Sequence, residues 1–345
     1  MHLSDGVIPA DYQGYVRRKR LWILGGVVVM ALLLIVSISV GAVAVPPYEV
    51  FLSLLNGSID RINLLFNPGG TLDLSSTDRI VWNIRLPQAL AAIVAGVGLS
   101  VAGVAMQSIL RNPLGSPYTL GISNAGAFGA AVSVILLGTG QMHSTAADAV
   151  RLSNPYLTTV VAFIFCLLAT GVILLISRIR GTSPEVMVLA GVALSSLFTA
   201  GTMFLQYFAD DTQLSAVVFW TFGDVGRATW QELGIMAFVT LAGSLYFIAN
   251  RWNYNAIDAG DETAKGLGVN VEAVRDIGMV VAALLSAVIV SFLGVIGFVG
   301  LVCPHLSLLP ISEPTRLRRI SYAGFFLKKK NPPYRTRSLI PSSAI

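Results

Sequence analysis

Seven long runs of apolar residues recur along the chain, separated by polar stretches. The hydrocarbon core of a bilayer is about 30 Å thick, so a helix needs roughly 20 apolar residues to cross it. The pattern therefore predicts seven membrane-spanning helices. Their predicted bounds are about 21–45, 89–110, 117–137, 156–177, 185–208, 231–249 and 277–296.

The first run follows a basic cluster at 17–20, and the Ala-Val-Ala stretch at 42–44 is typical of a signal cleavage site. The apolar region of a secretory signal is only about 7–15 residues long. The run from Leu21 to Val45 is longer, which favours an uncleaved first span over a removed signal.

The basic residues between the runs indicate the orientation of the chain, because cytoplasmic loops are enriched in Lys and Arg. With a cytoplasmic N-terminus, ten of these residues lie inside and five outside. The inside set is Arg17, Arg18, Lys19, Arg20, Arg111, Arg178, Arg180, Arg251, Lys265 and Arg275, and the outside set is Arg61, Arg79, Arg85, Arg151 and Arg227. We therefore expect a cytoplasmic segment at 1–20, followed by a transmembrane domain at 21–305.

Composition supports an all-α polytopic membrane protein. The 345 residues are 54% hydrophobic and only 12% charged, about half the charged fraction of soluble domains. Cys166 and Cys303 both lie in apolar runs, which excludes a disulfide scaffold and any CxxC motif. The predicted spans contain almost no ionisable residues, which disfavours an ion-driven secondary transporter, since such proteins carry intramembrane Asp, Glu or His.

A first irregular stretch follows the second run and contains two prolines, Pro113 and Pro117, which a regular helix does not accommodate. Non-helical backbone at membrane depth is tolerated only where it is buried in protein or faces a cavity. We therefore expect this helix break to lie at a translocation path. The candidate residues are Asn112, Pro113, Leu114, Pro117, Gly121 and Asn124.

A polar loop at 260–269 is predicted on the inside, and a third irregular stretch, at 294–305, combines three evenly spaced glycines with Pro304 and His305. The polar loop is either a docking site for a soluble partner or an ordinary connector.

Together these stretches resemble the FecCD family, the permease subunits of ABC importers for iron(III)-siderophores, haem and cobalamin. The resemblance covers about residues 20–305. The matching blocks are Ile84-Arg85-Leu86-Pro87, Asn112-Pro113-Leu114, residues 189–195, Trp220 with Gly223 and Trp230, residues 260–269, and residues 297–305.

The resemblance implies a ten-span fold that pairs with a second permease copy, identical or paralogous, to enclose the substrate path. It implies two ATPase subunits, each received by a cytoplasmic loop, and an extracytoplasmic substrate-binding protein. Arg85 stands where such permeases contact the binding protein, although an arginine that snorkels to the interface is the alternative. Gln88 replaces the second arginine of several members. The loop residues concerned are Gly260, Asp261, Glu262, Ala264, Leu267, Gly268 and Val269.

The chain contains no Gly-x-x-x-x-Gly-Lys-Ser/Thr loop for nucleotide phosphates. We therefore expect no enzymatic activity and no bound cofactor in this chain, with ATP consumed by the partner subunit. The three histidines are scattered, so no metal site is predicted. The body carries no basic footprint for nucleic acid. The expected location is the cell membrane, in contact with lipid.

The family pattern stops after His305. Residues 306–345 hold eight of the 23 basic residues and five prolines, without an apolar run near 20 residues. We expect seven full spans, a broken eighth, and a divergent tail resembling a shifted reading frame, which leaves an inactive truncated permease as an alternative function. The other interpretation of the tail is a natural basic segment on the anionic inner leaflet, where each Lys or Arg contributes about 1 kcal/mol.

Overall fold

The computed structural model describes residues 10–41, 43–66, 75–141, 151–152, 155–180 and 183–306. Within these residues the chain is almost entirely helical, which confirms the all-α fold. The helices are α1 Ala10–Ser39, α2 Pro47–Phe66, α3 Ser76–Ile80, α4 Leu86–Ile109, α5 Ile122–Ala131, α6 Pro155–Arg180, α7 Pro184–Tyr207, α8 Asp211–Thr221, α9 Trp230–Ala249, α10 Arg251–Asp258, α11 Asp261–Gly266 and α12 Val271–Leu293.

Shorter elements join these helices. Two antiparallel strands, β1 and β2, form a single pair. The remaining elements are π-helical turns at Val81–Arg85 and Val132–Leu136, a 3₁₀ turn at Val225–Arg227, strand β1 at Gly140–Gln141, strand β2 at Arg151–Leu152, and a helical segment at 299–306.

Six helices in the described part of the chain are long and apolar enough to cross a membrane. They agree with six of the seven predicted spans, with ends that differ by several residues. The six candidates are Arg17–Ser39, Ser76–Ile109, Tyr156–Ile179, Pro184–Tyr207, Trp230–Ala249 and Val271–Leu293.

The span predicted over 117–137 is shorter than expected. Residues 111–121 form turns, and the apolar helix covers only Ile122–Leu136. Gly121 adopts a left-handed conformation with φ of 76° immediately before α5, and glycine reaches that conformation without steric cost. The helix therefore begins after the proline-rich turns instead of within them.

The pattern of apolar runs does not predict α2, a 20-residue helix with one polar and one apolar face. Its apolar side chain Val50 is fully buried beside Ile38 and Trp82. Because charged residues such as Glu49 and Arg61 interrupt its sequence, α2 does not register as a continuous apolar run.

The chain divides into two compact units. Residues 27–304 form one, and residues 1–26 together with 305–345 form the other, of which the structure describes 10–26 and 305–306. The basic tail predicted at 306–345 lies outside the described residues, apart from residue 306.

At the centre of the larger unit lie α4 and α12, which pack against each other and against α9. The other side of α12 contacts α6, and α5 lies between α6 and α7. Small residues allow this close packing, as Gly98 does where it meets Ile289 and Thr240. The 24 residues of α4 span about 36 Å, so its two ends lie near opposite faces of a bilayer.

Candidate functional site

The predicted partner-docking loop contains a short helix, α11, with one buried side. Gly260 precedes it with φ of 123°, and Gly268 follows it with φ of 81°, both conformations that favour glycine. Between these glycines Ala264 is fully buried and packs with Ile257 of α10 and Val271 of α12. The two glycines therefore turn the chain sharply enough to seat one face of α11 on the bundle.

Asp261 fixes the first turn of α11 through two arginines. Arg275 of α12 has a side chain that is only 1% exposed, and its Nη2 donates to both Asp261 carboxylate oxygens, at 3.1 and 3.2 Å. Arg275 Nε also donates to the Ile109 carbonyl at 3.2 Å, at the end of α4. Arg111 Nη1 lies 3.3 Å from Asp261 Oδ1. One carboxylate thus joins α11, α12 and the end of α4.

The opposite face of α11 projects into solvent. The side chain of Glu262 is 95% exposed, and its Oε1 lies 3.9 Å from Lys265 Nζ. Leu267 is 70% exposed although it is apolar. Among the seven predicted loop residues, Glu262, Leu267 and Gly268 are exposed, whereas Asp261, Ala264 and Val269 face the bundle wholly or in part. The structure therefore separates anchoring residues from residues available to a partner.

At the same end of the bundle, a hydrogen bond links α4 to α10. Ser108 Oγ of α4 donates to Asp258 Oδ1 of α10 at 2.7 Å. Tyr254 of α10 is buried against α12, and burial raises the pKa of its hydroxyl. Arg178 of α6 donates to Asp276 of α12 at 3.0 Å. These contacts bring the ends of α4, α6 and α10 together with the first turns of α12.

The helix break is an ordered set of turns. Asn112 Oδ1 accepts a hydrogen bond from the Leu114 amide at 2.9 Å, and the amides of Ser116 and Thr119 each donate to the other's hydroxyl oxygen. Pro117 is buried, whereas Leu114 is exposed. The side chains of Asn and Ser therefore supply the hydrogen bonds that the interrupted helix does not.

After the break, Gly121 and Asn124 pack on α7. A Cβ on Gly121 would lie only 2.8 Å from the backbone of Ser195. The Asn124 Nδ2 donates to the Ser195 hydroxyl at 2.5 Å. These contacts place the restart of the chain directly against α7.

The third irregular stretch, at 294–305, contacts the turns of the helix break. The rings of Tyr118 and Phe298 stack with centroids 5.8 Å apart, and Phe298 has a positive φ of 63°. A Cβ on Gly300 would lie 3.4 Å from Pro117 Cδ, and a Cβ on Gly103 would overlap the Gly300 carbonyl. Two segments far apart in sequence thus form one irregular region beside α4.

At the opposite end of α4, Arg85 is buried and caps α1. Its guanidinium donates to the carbonyl oxygens of Ile38, at 2.7 Å, and of Ser39 and Val43. Gln88 donates to the Gly226 carbonyl at 2.9 Å. The contact with a binding protein that the resemblance implies for Arg85 stays a prediction, since in the described residues this side chain satisfies the end of a helix.

Two tryptophans and a second arginine also lie at the Arg85 end of α4. Trp230 Nε1 donates to the Trp82 carbonyl at 2.9 Å, and the two rings stack. Arg227 donates to the Phe219 carbonyl at 2.7 Å. Burial lowers the pKa of the Arg227 guanidinium, and the charge of Asp224 opposes that shift.

The described residues contain no cluster of three or more His, Cys, Asp or Glu side chains arranged to hold a metal ion. In the sequence, Arg111 and Arg275 indicate only the orientation of the chain, and neither was predicted as a member of the site. The signal that identifies Arg275 is a lone arginine at the fifth position of the apolar α12, since a buried cation requires a partner.

Comparisons with known proteins identify the family. The FecCD transport family matches residues 29–326, most of the chain, and so extends past His305, where the family pattern was expected to stop. A protein of Methanocaldococcus jannaschii, provisionally named an ABC transporter permease, is 49% identical over 302 residues, which cover 87% of this chain and 81% of that protein. The hemin transport system permease of Yersinia pestis is 34% identical over 261 residues, 74% of this chain and 75% of its own.

A solved structure agrees with these matches. It is an inward-facing ABC transporter provisionally assigned to the metal-chelate type, which superposes with a TM-score of 0.67 at 25% identity. The superposition covers 84% of this chain and 81% of the solved one. The chain is a multi-pass membrane protein, and it belongs to the FecCD transport family as a permease subunit of an ABC importer.

Proposed function

We propose that this permease imports a metal chelate of the iron(III)-siderophore, haem or cobalamin class. It pairs with a second permease copy to enclose the path, receives substrate from an extracytoplasmic binding protein, and is driven by two ATPase subunits. Its N-terminus and α11 lie on the cytoplasmic side of the cell membrane. The hemin permease and the metal-chelate type transporter among its relatives support this substrate class.

One observation carries the proposal: α11 is anchored on one face and open on the other. The anchored face includes the partly buried Asp261, which is paired with the buried Arg275. The open face presents the charged Glu262 and Lys265, and the exposed apolar Leu267 follows at the end of the helix. A partner that grips the open face therefore moves the helices to which the anchored face is tied.

The mechanism follows from these contacts. ATP binding draws the two ATPase subunits together, and each subunit moves the α11 helix of the permease copy to which it is bound. Because Asp261 joins α11 to α12 through Arg275 and to the residues after α4 through Arg111, the displacement reaches the helix break. The break and the 294–301 segment contact each other, so their movement alternates access to the path between the two faces of the membrane.

The test is uptake by the importer reconstituted in liposomes with its ATPase subunits and binding protein. A ferric siderophore, haem and cyanocobalamin are supplied separately, with and without ATP. We expect ATP-dependent uptake of one class. Absence of uptake for all three chelates, with every subunit present, would instead favour the inactive truncated product.

A substitution at Leu267 tests the docking face without removing buried residues. Leu267→Glu is expected to lower uptake by about ten-fold or more, as loss of an interface anchor does. Ile179→Glu is the control, because it adds the same charge on an equally exposed apolar residue of α6 at the same end. Uptake that survives Leu267→Glu, or deletion of 260–269, rules out coupling through this loop.

A further inference from the structure

The two arginines that share Asp261 hold it in different ways. Arg275 is inaccessible to solvent, contacts both carboxylate oxygens and is tied to the Ile109 carbonyl. Removing Asp261 would leave the charge of the buried Arg275 uncompensated. This contact is therefore a permanent joint between α11 and α12.

The contact with Arg111 is looser. A single hydrogen bond of 3.3 Å reaches one carboxylate oxygen, and the Arg111 side chain is 38% exposed. Exposed ion pairs contribute little to stability and are screened by water and salt. The Arg111 contact is therefore the weaker of the two, and removing it leaves the contact between Arg275 and Asp261 in place.

The backbone position of Arg111 gives this contact its importance. The residue has φ of 47°, a left-handed conformation that is uncommon for arginine, and it lies between the end of α4 and Asn112. A Cβ on Gly260 would lie 3.4 Å from Arg111 Nη2, so the guanidinium lies directly beside the start of α11. Strained backbone that persists at a functional junction is often part of a mechanism.

We propose that Arg111 is a positioning residue that transmits the displacement of α11 to the helix break. Its guanidinium holds Asp261, while its backbone leads directly into Asn112 and the turns that end at Pro117. Arg275 keeps α11 attached to the bundle, and Arg111 connects the movement of α11 to the path. This inference rests on the proposed function, in which ATPase subunits act on α11.

The experiment measures two segments at once. The complex with its ATPase subunits is studied in nanodiscs by hydrogen–deuterium exchange, before and after addition of ATP and vanadate. In the unmodified complex, exchange is expected to change in both 263–269 and 112–121. In Arg111→Gln, the change in 263–269 persists and the change in 112–121 is lost.

Transport gives a second readout. The number of substrate molecules transported per ATP hydrolysed is expected to fall about five-fold or more in Arg111→Gln, within the usual range of coupling between sites. Arg111→Lys retains the positive charge and is expected to restore part of that ratio. A merely structural role would lower the amount of folded complex without changing the ratio.

Two control variants remove other links at the same end. Ser108→Ala breaks the hydrogen bond between α4 and α10, and Arg178→Gln breaks the pair between α6 and α12. Both are expected to keep the response of 112–121. The same loss in Ser108→Ala as in Arg111→Gln overturns the proposal, because the signal would then travel through α4 as a whole.

Two further outcomes also contradict it, and they are distinguishable. If both segments respond in Arg111→Gln, Arg111 transmits nothing, although ATPase docking on α11 stands. If neither segment responds in the unmodified complex, docking on α11 fails and the role of Arg111 fails with it.

Discussion

Arg85 and Arg275 are buried near opposite ends of α4, and the two are used differently. Within the described residues, Arg85 donates only to backbone carbonyl oxygens of α1 and the residues after it. Arg275 donates to a backbone carbonyl and to the carboxylate of Asp261. The first contact closes a helix end, whereas the second adds a charged partner that belongs to another element. Only the second arrangement connects a surface helix to the interior.

The largest effect is expected from removing the arginine that has the charged partner. Arg275→Met leaves Asp261 partly buried beside Arg111 alone, and should lower the free energy of unfolding by about 3–5 kcal/mol. Titration with a denaturing detergent measures this loss. The double variant Arg275→Met with Asp261→Leu should recover part of it, since no charge is then left unpaired. Equal loss in both variants would show that the carboxylate is not the partner that matters.

Removing the other buried arginine should cost less. Arg85→Met leaves carbonyl oxygens at the end of α1 without their donor, and we expect a loss of about 1–3 kcal/mol. The same detergent titration gives the value. In the part of the chain that the structure describes, Arg85 has carbonyl partners and no carboxylate partner, so no second substitution of an acid should rescue it. A loss larger than that of Arg275→Met would reverse the comparison between the two ends.

Backbone strain at the residue before α11 is expected to give a third, smaller effect on stability. Gly260 has φ of 123°, so Gly260→Ala forces an alanine into a conformation that it rarely adopts, at about 1 kcal/mol. Gly266→Ala is the control, because Gly266 lies in α11 with open space around it. That variant should be neutral or slightly stabilising. Equal destabilisation in the two variants would mean that φ at 260 is not the cause.

The sequence predicted the large features of this fold because they depend on local chemistry. Apolar length located six spans, and Pro113 with Pro117 located the break. It did not predict α2, whose apolar face alternates with polar residues, nor the late start of α5, which depends on the packing of Gly121 against Ser195. Local pattern is insensitive to such tertiary contacts.

The candidate site, like the fold, was predicted from the sequence only in part. The sequence placed a polar loop at 260–269, but it could not tell the buried side of α11 from the open side. The distinction between Asp261 and Glu262 arises from Arg275, which lies a helix away and approaches only in the folded chain. Adjacent carboxylates with equal local propensity therefore take opposite roles.

The smallest expected effect tests that distinction most directly. Glu262→Gln and Asp261→Asn each remove one negative charge from adjacent positions of α11. Glu262 projects into solvent beside Lys265, so its substitution should shift the melting temperature by less than about 2 °C. Asp261→Asn removes the anion that compensates the buried Arg275 and should lower the melting temperature several times further. Thermal unfolding of the purified permease in detergent compares them, and similar shifts for the two variants would mean that α11 is held by apolar packing of Ala264 and not by its inner carboxylate.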